Sequence, residues 1–223
     1  MGHSKIITLA AMSFALGIGA AISQDAPPNP PSDTVVQYAK EFVAANLTGN
    51  AELNAAIAAS TAKHKKLGFD EATILDSQWR VAKSGVEKEA RAASTLAEIA
   101  GATSIDDHIK AGEALIKAAR ENDASKWLVK LQEGAQPAGA ITEIFVMDGW
   151  GWNVAQTGGT SDYYQGDEGK WQNTFAAADP NEIEILDIVE EDGIRYAQIS
   201  LPIKDGDKNI GAVTVGVDVD KVK

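Results

Sequence analysis

The stretch 194–219 constrains the fold more than any other part of the chain. Residues 194–203 and 209–219 alternate apolar with small or polar side chains, on either side of Asp205-Gly206-Asp207-Lys208. Period-two alternation marks strands, and a short Gly- and Asp-bearing segment between them marks a hairpin. One parity carries Ala197, Ile199, Leu201 and Ile203 with Val213, Val215, Val217 and Val219. That face is wholly apolar and has to be covered, and the long helix upstream is the expected cover. The other parity carries Tyr196, Gln198 and Ser200 with Ala212, Thr214, Gly216 and Asp218. It suits neither a packed core nor a charged solvent surface. It reads as the floor of a pocket, against the plainer reading of a wet outer face. The acidic turn brushes against a Ca²⁺ loop, but its Gly falls one position late and no terminal Glu follows. A hairpin is the better reading.

Further strands are expected at 141–147, 152–157 and 183–189, with turns at Asp148-Gly149-Trp150-Gly151 and Glu191-Asp192-Gly193. Between the second and third lies 157–175, TGGTSDYYQGDEGKWQNTF. No hydrophobic period runs through its first half, so it reads as a loop. A short helix opened by Asp167 places Trp171 and Phe175 one turn apart. Aromatic and polar loops on a rigid scaffold are where binding sites sit. The plain alternative is an ordinary connection with core-filling aromatics.

Residues 33–135 have helical spacing. Asp33 is placed to cap a helix with Val35, Tyr38, Ala39 and Phe42 on one face. A second helix runs from Ala51 to Leu67, with His64 near its apolar stripe, where a lone His is more often packed than a ligand. From Glu71 onward Leu75, Trp79, Ala82, Val86, Ala90, Ala93, Ala97 and Ala100 mark one long helical face, with a candidate kink at Ser84-Gly85. Within it Asp76 and Arg80 form an i, i+4 pair worth about 0.3–0.5 kcal/mol. Ser104 to Asp107 resembles a capping box ahead of a helix through Ala119, and a short helix ends at Gly134.

Lys5, the apolar run 6–22 and small residues before Gln24 have the layout of a secretory signal peptide at 1–23. The alternative is an uncleaved anchor, for which the run is short. A Pro-rich linker follows at 24–32. The expected location is periplasmic, with no membrane insertion after cleavage. The net charge of −12 makes nucleic acid and anionic lipid unfavourable partners. There is no cysteine, so no thiolate nucleophile and no Cys-ligated metal.

Taken together, ITEIFVMDGWGWNVAQT, TSDYYQGDEGKWQ and AQISLPIKDGDKNIGAVTVGVDV resemble a single Cache domain, the PDC-type extracellular sensor module. The resemblance covers 141–222 closely, and LDSQWR (75–80) resembles the family's long N-terminal helix. It implies an α+β, PAS-like fold: an antiparallel five- to six-stranded sheet at 136–223, a long helix behind it and a ligand pocket on the opposite face. The helical region is longer than the family's single helix. Family members are extracellular parts of chemoreceptors, histidine kinases or cyclic-dinucleotide enzymes, and bind carboxylates and amino acids. No membrane helix or output domain follows Val222, so the chain resembles a free-standing periplasmic form. Such a form needs a membrane receptor or kinase as partner, or acts as a simple binding protein.

Neither a GxSxG elbow nor a phosphate loop occurs, and two histidines beyond the leader do not make a metal site. The expectation is a binding module with no catalytic residues, cofactor or metal. Its candidate ligand-binding residues are Trp152, Tyr163, Tyr164, Asp167, Lys170 and Trp171 around the loop, with Tyr196, Ser200, Thr214 and Asp218 beneath. Lys170 suits a ligand carboxylate, and Asp167 or Asp218 an ammonium. Asp167 is equally read as a helix cap, and Trp171 as core. The competing function is a structural or interaction protein with a degenerate pocket.

Overall fold

The computed structural model describes residues 27–84 and 104–223. The signal-peptide reading and the expected helix over 85–103 lie outside them. The helices are α1 (Asp33–Asn46), α2 (Ala51–His64), α3 (Phe69–Lys83), α4 (Ile105–Glu121), α5 (Asp123–Gly134) and the single turn α6 (Gly169–Gln172). The strands are β1 (Ile141–Met147), β2 (Asn153–Gln156), β3 (Glu184–Ile185), β4 (Val189–Glu191), β5 (Ile194–Asp205) and β6 (Lys208–Asp218). They form one antiparallel sheet in the order β2-β1-β6-β5-β3, with β4 also on β5. With β3 and β4 taken as one interrupted edge, the order is PAS-like and the fold is α+β, as expected.

The parity argument holds through the long hairpin. Ile199 faces Val215 and Leu201 faces Val213 across β5 and β6, and the turn closes with Asp205 opposite Lys208. The apolar face is buried from Ala197 to Ile203 and from Val213 to Val217, with Val219 half-buried at its end. Its cover, however, is not the LDSQWR helix. Val35, Ala39, Phe42 and Val43 of α1, Leu53 and Ile57 of α2 and Leu128 of α5 share one core with Ile144, Ile199, Val213, Val215 and Val217. The helices α1, α2 and α5 and the sheet therefore share one main hydrophobic core.

α3 packs instead against α4, and the reason is local. Gly112 of α4 lies so close to α3 that a Cβ there would fall 1.9 Å from the Gln78 carbonyl oxygen and 2.8 Å from the Ala82 Cβ. Small residues allow that approach, which suits a second helix rather than a flat sheet. The pair encloses His108, 1% exposed, whose Nε2 lies 2.8 Å from Ser77 Oγ. Burial holds His108 below its ordinary pKa.

Local boundaries differ at readable points. Ser32, not Asp33, caps α1 and accepts from the Val35 N–H. The cap of α6 is Glu168, not Asp167, and its side chain makes no capping bond. The strand expected at 183–189 is split. Leu186 N–H still bonds the Gln198 carbonyl of β5, but Ile188 N–H turns to the carbonyl of Asn29 in the Pro-rich segment. At the other edge, Asn122 Nδ2 donates to Val154 O, and Ser125 Oγ accepts from Gln156 N–H.

Gly112→Ala should lose about 1–3 kcal/mol by overpacking α3 against α4, read as a lower urea midpoint. The neutral form of His108 is favoured in the fold, so its contribution is present above its ordinary pKa and lost as pH falls. Between about pH 7.5 and about pH 5.5 the wild type should lose more thermal stability than His108→Asn. Parallel losses would contradict a buried neutral imidazole.

Candidate functional site

The loop after β2 is clamped from below by α3. Asp76 Oδ1 accepts from the backbone N–H groups of Tyr163 (3.0 Å) and Tyr164 (2.9 Å). Its Oδ2 lies 2.7 Å from Arg80 Nε, which also lies 3.0 Å from Asp162 Oδ1. Trp79 Nε1 donates to Thr160 O, and its ring stacks on Tyr163 at 5.0 Å and 11°. Burial pushes the Asp76 carboxyl up, opposed by the Arg80 charge. The LDSQWR segment is thus the loop's anchor. Sequence reasoning saw only its i, i+4 pair, because a backbone partner about 90 residues away leaves no periodic signal.

A second buried network fixes the β1–β2 turn. Asp148, 0% exposed, places Oδ2 2.6 Å from His64 Nδ1 and accepts there from Ser60 Oγ at 2.7 Å. Its Oδ1 accepts from the N–H groups of Trp150 and Trp152. His64 stacks on Trp152 at 5.0 Å and turns Nε2 to the Tyr163 hydroxyl at 3.4 Å. This is not a serine-nucleophile relay. Ser60 and His64 meet the same carboxylate oxygen, whereas the relay needs the serine on the far ring nitrogen. The Tyr163 phenol is pushed up to about 12 by burial and then by the Asp148 charge. The turn and loop meet at Gly151, φ +87°, where a Cβ would fall 2.4 Å from Gly166 Cα. The Gly of the QGD segment thus serves close backbone packing.

The candidate residues therefore separate. Trp152, Tyr163 and Tyr164 belong to the aromatic cluster on α3, with Trp152 and Tyr163 buried and Tyr164 half-buried. They lie with His64 and Trp79 rather than over Ser200 and Thr214. Trp171 and Phe175 pack on Phe145, Met147 and Ala212, and Trp171 Nε1 donates to Asp148 O. They roof one end of the polar face. Ser200 and Thr214, both 0% exposed, bond each other at 2.8 Å. Asp167 is exposed. Asp218 is turned into its own strand end, accepting from Asp220 N–H with Lys221 3.8 Å away.

Beyond the roof the polar face carries a charged seam. Glu143 accepts from Gln198 Nε2 at 2.6 Å. Burial pushes its carboxyl up, opposed by that bond and by the Lys170 charge. Lys170, its side chain 17% exposed, lies 2.7 Å from Glu168 Oε2 and 5.8 Å from the Phe145 ring centroid. Tyr196 donates to Glu191, and its phenol is pushed up to about 12 by burial and then by that bond. Glu143 was overlooked in the sequence, although a lone carboxylate within an apolar strand is a readable signal. Two grooves lie among the helices: about 340 Å³ between α1 and α5, and about 690 Å³ between α2 and the α4–α5 corner. No helix among the described residues is long and apolar enough to cross a membrane.

No protein-family model and no curated protein matches the chain. Solved structures do. The ligand-binding domain of the Pseudomonas aeruginosa PAO1 amino acid chemoreceptor PctC, in complex with GABA, aligns over 51% of this chain and 54% of its own, at 10% identity and a TM-score of 0.30. The sensor domain of the V. cholerae histidine kinase DctB aligns over 83% of this chain and 59% of its own, at 12% identity and a TM-score of 0.25. The chain thus spans little more than half the length of either.

Removing the Asp148 carboxylate leaves a buried imidazole, a hydroxyl and two backbone donors without their acceptor. Asp148→Ala should cost about 3–5 kcal/mol in chemical denaturation. A loss below about 1 kcal/mol would show that the network is peripheral to stability.

Proposed function

We propose that the protein is an exported, non-catalytic sensor-type module. It binds a small organic acid or amino acid on the polar sheet face beside α6, and passes that event to a separate membrane receptor or kinase. The observation that carries the reading is the seam of Lys170 and Glu143. A cation and a carboxylate are held half-buried on one sheet face, beside the Phe145 ring and the Gln198 amide. That pair complements a zwitterion, and a simple carboxylate would use Lys170 alone. The ligand carboxylate would take the place of Glu168 at Lys170. Tyr196, half-buried, lies on the same sheet face. The leader-like N-terminus supports export.

The second reading, an interaction protein with a degenerate pocket, is favoured by one feature. Ser200 and Thr214 satisfy each other beneath the Trp171 and Phe175 roof, which leaves no polar demand at that end.

A thermal-shift screen over amino acids and organic acids separates the two. A ligand at 100 times its Kd adds about 2.7 kcal/mol, a shift of about 5–10 °C at this size. Lys170→Met should abolish the shift for every carboxylate, and Glu143→Gln only for amino acids. A panel with no shift, or shifts untouched by Lys170→Met, supports the second reading.

A further inference from the structure

The larger groove lies on the opposite side of the sheet from that face. α2 lines it with the residues at positions 52 to 63 that share one side, a length of about 17 Å at the helical rise. Alanines stand on both walls, Ala55, Ala56 and Ala59 on one and Ala118, Ala119 and Ala124 on the other, with Leu53, Leu115, Trp127 and Val154 adding larger apolar groups. Short side chains on both walls leave the space open. A volume of about 690 Å³ is that of a small-molecule site.

Small residues alone would mean little, but the groove has a polar floor. Asn153 lines it and is 2% exposed. Its Nδ2 is spent on the loop, at Thr160 Oγ1 (2.9 Å) and Asp162 O (2.8 Å). Its Oδ1 is buried and has no partner. A buried acceptor without a donor costs about 1–3 kcal/mol and needs a reason. Tyr163 and His64 complete the floor. The Tyr163 hydroxyl lies 3.4 Å from His64 Nε2, and its oxygen keeps a lone pair for a further donor. What the floor has left to offer is acceptor capacity. Asp148 lies directly behind His64, and Glu52 and Asp123 stand on the rim with a single lysine, Lys63. A carboxylate ligand would find no donor at Asn153 Oδ1 and would face the carboxylates of Glu52, Asp123 and, behind His64, Asp148.

We propose that the α2/α4–α5 groove is a second small-molecule site, specific for a primary amine on an elongated apolar body. The alkyl chain lies along the alanine walls. The ammonium donates to Asn153 Oδ1 and to the Tyr163 phenol oxygen. Reaching Asn153 requires a small opening of the floor, because its oxygen is buried. The chemistry is opposite in sign to the acid-binding seam at Lys170, and the two sites share no residue.

The test is calorimetric titration of the full chain with octylammonium, 1-octanol and octanoate. Octylammonium should bind at least about tenfold tighter than either analogue. Ala59→Trp and Ala118→Trp fill the groove from opposite walls at exposed helical positions, and each should remove octylammonium binding without lowering the melting temperature. Those variants also separate groove binding from loose attraction of a cation to an acidic protein. Equal affinity for octanol or octanoate, unchanged binding to both Trp variants, or no binding of octylammonium would each overturn the assignment. Lys170→Met should leave it unaffected, so failure here is distinct from failure at the sheet face.

Discussion

The buried carboxylate of Asp148 is the contact on which the two sides of the sheet depend. Its side chain reaches the helical layer, at Ser60 and His64. Its carbonyl oxygen holds the Trp171 indole on the opposite face. Through His64 it reaches Tyr163, and so the loop that α3 clamps. A carboxylate with no exposure is stable only when its acceptor sites are filled, and here side chains and backbone donors fill them. One residue thus sets the position of α2, the β1–β2 turn and α6 together. Small changes at this point have no local way to relax.

Much of the sheet was legible because alternation is a local property. β1 and both strands of the long hairpin lie close to where period two places them, and the Gly206-Asp207 turn is where the turn chemistry puts it. What alternation cannot say is which helix covers the apolar face. Several helices in this chain carry apolar stripes, and sequence order favoured the longest. The choice was made by shape. Gly112 and Ala82 bring α3 against α4, leaving α1, α2 and α5 to fill the core.

The candidate site was legible residue by residue but not as an assembly. The missing hydrophobic period in the first half of 157–175 placed a loop there, and the structure has one. Its partners lie far back along the chain: Asp76 accepts from the Tyr163 and Tyr164 backbone N–H groups, and His64 meets the Tyr163 hydroxyl. Such pairings are single events with no period, so nothing in the spacing announces them. The same holds for Ser200 and Thr214. Parity placed both on one face, but not the bond that satisfies them or the indole above.

The stitch between Asn29 and Ile188 has a consequence for assembly. Sheet borders invite a further chain to zip on through bare amide and carbonyl groups. Here Asn29 of the Pro-rich segment bonds one border at Ile188, and the Asn122 and Ser125 side chains occupy groups of the other. Groups on both borders are thus already taken by the molecule's own chain. A further strand joining at Ile188 or along β2 would first have to displace these contacts.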